Sequence, residues 1–233
     1  MKQLLLISNS TLHGSGYLEH CTKEIKKFLN QKKKIVFIPY ARPGGISHDE
    51  YTNIARKKFN EIGYELKGIH EYPSVNEAID DSDAVFTGGG NTFVLLNRLY
   101  EKNVIKPLKN AIENGLLYMG TSAGSNIAGQ SIMTTNDMPI IYPPSFEALA
   151  CVPFNLNPHY LDPNPNSKHM GETRETRIKE FHIFNDLPVI GLREGAMLHI
   201  QNSTITLKGS YGARVFIKNK EPVEYIANQV IEL

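Results

Sequence analysis

The sequence predicts an α/β sandwich in which a mostly parallel sheet is covered by helices on both faces and antiparallel strands close the chain. Three observations predict it. Short apolar runs alternate with segments of helical spacing over residues 3–119, the pattern of repeated βα units whose strands are buried on both faces. Short alternating runs separated by turn signals follow residue 196. A length of 233 residues suits one large domain, 1–233, that buries its core without disulfides.

Residues 3–8 are apolar and stop before Asn9-Ser10, as a buried strand does, and residues 17–30 then space Leu18, Cys21, Ile25 and Phe28 along one helical face. The alternation continues with a strand at 34–40, a helix at 49–62, strands at 65–69 and 84–87, helices at 92–100 and 105–114, and a strand at 116–119. Beyond Ser122 the pattern gives way to a polar section holding Pro139, Pro143, Pro144, Pro153, Pro158, Pro163 and Pro165. Long irregular segments within a compact domain usually carry function. A charged helix is expected at 173–181, a strand at 189–192, and antiparallel strands at 197–201, 205–207, 214–217 and 223–226.

Composition narrows the function classes. With 25 basic and 24 acidic residues there is no electrostatic footprint for nucleic acid or an anionic membrane surface. Cys21 and Cys151 form no CxxC pair, so neither a disulfide framework nor a zinc site is expected, and a reducing cytoplasm fits. The opening MKQLLLISNS has too brief an apolar run for a signal peptide, and no stretch reaches the roughly 18 apolar residues of a membrane span. The expected protein is soluble, a monomer or small homo-oligomer.

Gly120 to Gly124 read GTSAG, the spacing of a nucleophile elbow: a strand, a tight turn lifting Ser122, and a helix beginning behind it. A corner of small residues packed between a strand and a helix would read the same way, so partners decide. A serine hydroxyl needs a base, and the base needs a group that fixes its tautomer. Of the eight histidines, His159 stands at the end of a strand-like run, 152–158, with His169 as the second candidate. His13, His20, His48, His70, His182 and His199 fall in loops, helices or strands with nothing to single them out. For the acid, Asp137 lies in TTNDMP soon after the serine, and Glu194 follows the strand at 189–192 and precedes Gly195. The Ala123 amide is the natural first donor to an oxyanion. The run TGGGNTF at 87–93 can bring a second, since three glycines after a strand let bare backbone approach a ligand; as a phosphate cradle it lacks the lysine of a P-loop and the last glycine of a dinucleotide fingerprint.

Taken together, LISNS at 6–10, GGGNTF at 88–93, GTSAGSNIA at 120–128, TTNDMPI at 134–140, NPH at 157–159 and GETRE at 171–175 resemble, in order and over nearly the whole chain, the peptidase E family. These are α-aspartyl dipeptidases, serine hydrolases on a three-layer αβα fold similar to class I glutamine amidotransferases and flavodoxin. The resemblance implies Ser122 as nucleophile, His159 as base and Glu194 as orienting acid, with oxyanion amides at Gly90 and Ala123. It also implies Arg174 as the cation for an aspartyl β-carboxylate, Asn91 as a substrate contact, a small peptide as substrate, and no metal or cofactor. A guanidinium can grip a carboxylate bidentately, and an arginine in the first turn of a helix opposes the macrodipole, which asks for a reason. Asp137 matches a second acidic position that either orients the histidine or shapes the pocket.

The sequence departs from the pattern at 161–168, which is very polar and leaves the strictness of aspartate selection open. Thr121 is shared with wider relatives, including cyanophycinases, so a related substrate stays open. An α/β-hydrolase esterase using Ser122, Asp137 and His159 is the next alternative, against which stand the missing HGGG motif and the roughly one third of the chain that follows His159. A non-catalytic anion binder is the last.

Overall fold

The computed structural model describes residues 1–164, 166, 168 and 170–233. His169, the second histidine candidate, lies outside the described residues, as do Pro165 and Ser167. In chain order the elements are β1 (Gln3–Ile7), α1 (Thr22–Leu29), β2 (Lys34–Ile38), α2 (His48–Glu61), β3 (Glu65–Gly68), α3 (Val75–Asp80), β4 (Ala84–Thr87), α4 (Thr92–Glu101), α5 (Ile105–Glu113), β5 (Leu117–Thr121) and α6 (Ala123–Asn126). The second half adds β6 (Asn155–Pro158), α7 (Arg174–Phe184), β7 (Val189–Leu192), β8 (Ala196–Gln201), β9 (Thr204–Gly209), β10 (Ala213–Phe216), β11 (Val223–Tyr225) and β12 (Val230–Ile231).

The main sheet has eight strands in the order β12-β9-β8-β1-β5-β4-β2-β3. Pairing is parallel from β1 to β3, and β8, β9 and β12 extend it antiparallel. Alternate residues of each inner strand enter opposite cores, because side chains on a pleated strand point to opposite faces. Leu4, Leu6, Val36, Ile38, Val85 and Tyr118 join α4 and α5 on one face. Leu5, Ile7, Ile35, Phe37, Phe86 and Met119 join α1 and α2 on the other. Those are the three expected layers.

A second sheet, β11-β10-β7-β6, decides where the site forms. Its β6 and β7 run parallel, with Pro158 opposite Leu192, and Leu156, Ile190, Leu192 and Val215 pack into the same core as α4 and α5. The chain therefore delivers the ends of β6 and β7 side by side, next to the end of β1. The four C-terminal strands expected from sequence are present but divided, β8 and β9 to the main sheet, β10 and β11 to the second.

Two local expectations change. The helix expected at 17–30 begins at Thr22, because Leu18 adopts φ 56° and turns the chain back, its amide donating to the Ser10 carbonyl at 2.7 Å. Thr22 Oγ1 closes that turn on the Leu18 carbonyl at 2.7 Å, so His20 lies in a turn and not in a helix. Residues 75–80, unassigned from sequence, form α3, capped by the Ser74 side chain accepting from the Glu77 amide. No helix among the described residues is long and apolar enough to cross a membrane.

Candidate active site

Ser122 stands between β5 and α6 at φ 51° and ψ −113°, a backbone conformation few side chains adopt. Its surroundings over-determine it. The Ser122 amide donates to the Ile7 carbonyl at 3.0 Å, and Ser125 Oγ is within 2.7 Å of both the Ile7 and Gly120 carbonyls. Tyr118 OH donates to the Gly124 carbonyl at 2.6 Å. The flanking glycines are required by close approach: a Cβ on Gly124 would lie 2.2 Å from the Thr87 carbonyl oxygen, and one on Gly120 would lie 2.4 Å from Gly124.

His159 follows β6 with φ 55°, and its amide donates to Ser8 Oγ at 2.9 Å. Ser8, fully buried at the end of β1, donates in turn to the Leu192 carbonyl at 2.8 Å. Leu192 also accepts from the Tyr160 amide. One serine thus clamps the end of β6 to the end of β7. From below, Asn136 Nδ2 donates to the Pro158 carbonyl and Asn157 Nδ2 to the Thr134 carbonyl. Next door, Gly195 donates its amide to Asn9 Oδ1 at 2.8 Å, which fixes the turn carrying Glu194. Arg193 does not pair with Glu194. It bridges Asp162 and Glu224, which raise its pKa above the ordinary arginine value and brace the turn from outside.

These supports place the imidazole between two groups. His159 Nε2 is 2.9 Å from Ser122 Oγ, and His159 Nδ1 is 2.6 Å from Glu194 Oε1. The Glu194 side chain remains 48% exposed, so solvent screens it. Asp137, the other acidic candidate, makes no hydrogen bond to His159 among the described residues. Its Oδ2 accepts from the Thr92 amide at 2.7 Å, Thr92 Oγ1 at 2.6 Å and Thr135 Oγ1 at 3.3 Å, all at the start of α4 or in its own loop. A carboxylate there also complements the positive end of the helix.

The glycine run after β4 packs on the serine: a Cβ on Gly89 would lie 3.1 Å from Ser122 Cβ. Gly90, at φ 149°, has its missing Cβ position 2.3 Å from the Ala41 carbonyl, so a side chain is excluded. Neither the Gly90 nor the Ala123 amide has an acceptor among the described residues. Asn91 is engaged at both ends, its Oδ1 accepting from the Val94 amide and its Nδ2 donating to the Met138 carbonyl, so it ties the Asp137 loop to α4. Arg174 is the first residue of α7, and burial followed by the charge of Arg177 lowers its pKa, opposed by Asp137 nearby. The same helix carries the Glu175 to Lys179 ion pair at 2.7 Å.

A cavity of about 20 Å³ over the serine is lined by Ser122, Ala123, Asn126, Asp137 and His159. A larger cavity, about 930 Å³, lies beside Lys2, Cys151 and Ile231, and none of the candidate residues lines it. Chemistry outranks size here. Sequence reasoning passed over Ser8, Asn9, Asn126 and the two threonines that hold Asp137. Polar residues closing an otherwise apolar central strand were the available signal for the first two.

Known peptidases resemble this chain in sequence and in fold. The model of peptidase family S51 matches residues 4–208. Peptidase E of Streptomyces coelicolor is 48% identical over 95% of this chain and 90% of its own. A Drosophila melanogaster protein named "Probable alpha-aspartyl dipeptidase" is 47% identical over 92% of this chain and 90% of its own. The crystal structure of a peptidase from an acI-B1 Actinobacterium shares the fold with a TM-score of 0.72 at 18% identity, covering 100% of this chain and 97% of that one.

Proposed function

The chain belongs to peptidase family S51, and from that premise we propose that it is a serine dipeptidase releasing N-terminal aspartate from Asp-X dipeptides. The observation that carries the chemistry is the unbroken chain from Glu194 through His159 to Ser122, at 2.6 and 2.9 Å.

In this reading Ser122 Oγ attacks the carbonyl carbon of the N-terminal residue while His159 Nε2 takes the hydroxyl proton. The Gly90 and Ala123 amides donate to the developing oxyanion, which suits donors left without acceptors among the described residues. The C–N bond then breaks, His159 returns the proton to the departing amine, and an ester to Ser122 remains. Water, deprotonated by His159, attacks that ester and releases aspartate and free Ser122. Glu194 holds the Nδ1–H tautomer and offsets the charge on the imidazolium. Asp137 shapes the pocket, and Arg174 receives the aspartyl β-carboxylate as a bidentate partner. Both cysteines are free and buried, which supports residence in a reducing compartment such as the cytoplasm.

A panel of Asp-X, Glu-X, Asn-X and β-Asp-X dipeptides, run with wild type and Ser122→Ala, tests the reading. Turnover of Asp-X by wild type alone is expected. Equal turnover by both proteins sinks the mechanism, and preference for another N-terminal residue sinks the substrate assignment.

A further inference from the structure

The loop after β4 carries three glycines in a row, and each leaves room for a different neighbour. A Cβ on Gly88 would lie 2.6 Å from Tyr51 OH, one on Gly89 3.1 Å from Ser122 Cβ, and one on Gly90 2.3 Å from the Ala41 carbonyl oxygen. The neighbour at Gly88 does more than pack. Tyr51, on α2 and only 3% exposed, donates its hydroxyl to the Gly89 carbonyl at 3.1 Å. That carbonyl and the Gly90 amide belong to one peptide group. A trans peptide is planar, with its C=O and N–H pointing opposite ways, so holding the oxygen fixes where the N–H points. The flanking amides are tied to backbone: Gly88 donates to the Ile38 carbonyl at 3.1 Å and Asn91 to the Ala41 carbonyl at 2.8 Å. Among the described residues the Gly90 amide has no such acceptor.

We infer that Tyr51 is a positioning residue for the oxyanion hole: by donating to the Gly89 carbonyl, its hydroxyl aims and polarises the peptide whose Gly90 amide meets the negative charge. The inference rests on the serine-hydrolase reading and gives its Gly90 donor a partner from behind. As charge grows on the substrate oxygen, electron density shifts through the Gly90 N–H and its peptide toward the Gly89 oxygen, where the Tyr51 hydroxyl offsets it. Hydrogen bonds linked in this way strengthen one another in a low-dielectric interior. The ring itself is fixed by two neighbours. Phe37 meets it edge-on with centroids 5.1 Å apart, and the Arg42 guanidinium lies 5.1 Å from its centroid. Burial pushes the Tyr51 pKa above the ordinary tyrosine value, against the pull of Arg42, so the hydroxyl stays protonated and remains a donor. Packing beside Phe37 and Arg42 asks only for an aromatic ring. The hydroxyl serves the peptide.

Tyr51→Phe removes the hydroxyl and keeps the ring. On aspartyl-α-p-nitroanilide its kcat is expected to fall about tenfold, a fraction of the roughly 10²–10³ that follows outright loss of an oxyanion donor, with KM within about twofold of wild type. The boronic acid analogue of aspartate gives a second readout. Ser122 Oγ bonds to its boron, the hydroxyl proton passes to His159, and the tetrahedral boronate carries a negative charge like that of the oxyanion. Its Kd is expected to weaken by the same factor as kcat/KM. Unchanged kcat, a rise in KM that accounts for the whole loss, or an unchanged boronate Kd overturns the proposal. Replacing Tyr51 by 3-fluorotyrosine guards against a folding defect, since it changes one atom and makes the hydroxyl a stronger donor. Boronate affinity is then expected at or above that of wild type, and weaker binding overturns the proposal. If wild type leaves the anilide intact, the substrate assignment has failed, and fluorophosphonate labelling of Ser122 decides instead, because attack at phosphorus builds charge on an oxygen at the same amides. Labelling about tenfold slower in Tyr51→Phe supports the proposal, and equal rates overturn it.

Discussion

Removing one buried hydroxyl that supports the backbone of His159 should damage both stability and catalysis. In Ser8→Ala the His159 amide loses its acceptor and the Leu192 carbonyl loses one of two donors, since Tyr160 still donates to it. An orphaned buried donor costs about 1–3 kcal/mol and a lost neutral hydrogen bond about 0.5–1.5 kcal/mol, so the expected destabilisation is about 2–4 kcal/mol. For a domain of this size each kcal/mol shifts Tm by roughly 2–4 °C, which predicts a fall of about 5–15 °C. The catalytic loss has a separate origin. His159 holds a left-handed conformation, φ 55°, that the Ser8 clamp helps to enforce, and its Nε2 must stay within reach of Ser122. A misplacement of about 1 Å lowers kcat by about a hundredfold. Thermal unfolding and steady-state hydrolysis of an aspartyl anilide, measured on the same preparation, check both. A Tm within 2 °C of wild type together with unchanged kcat would refute the clamp.

Three further outcomes follow from the same geometry. Glu194→Gln should lower kcat/KM by about ten- to a thousandfold in steady-state assays, less than the ~10⁴ seen for a buried triad acid, because this carboxylate is 48% exposed and already screened. Gly124→Ala should fail to fold or unfold at markedly lower denaturant than wild type, because its Cβ would lie 2.2 Å from the backbone oxygen of Thr87, and unchanged urea midpoints would contradict that. Burial pushes the Cys21 thiol up to about 12 and Cys151 up to about 11, so both stay protonated at pH 8 and a thiol reagent should label neither until urea unfolds the chain.

Much of this site was legible because its signals are local. Strand, small residues and helix around Ser122 are contiguous, and strands buried on both faces announce themselves as unbroken apolar runs such as residues 3–7. The acid was harder. Asp137 and Glu194 both follow plausible elements, and the choice rests on a register between β6 and β7 that joins residues 35 apart in sequence. Ser8 and Asn9 act on partners more than 150 residues away, which no spacing rule reaches. The early start assigned to α1 has a different cause: a turn that buries Leu18 and then Cys21 shows the same three-residue spacing as a helix, so periodicity could not separate them. For α3 a signal was present, a serine three residues before a glutamate, but six residues carry too little apolar period to be noticed.

The central claim is that Ser122, raised by the elbow and activated by His159, is the nucleophile. Mass-spectrometric mapping of a fluorophosphonate adduct, with kcat/KM followed on the same samples, tests it most directly. The account predicts one adduct on Ser122, loss of activity in step with its formation, and labelling slowed by orders of magnitude in His159→Ala. Full activity in a protein fully labelled at Ser122, or equal labelling rates with and without His159, would contradict it.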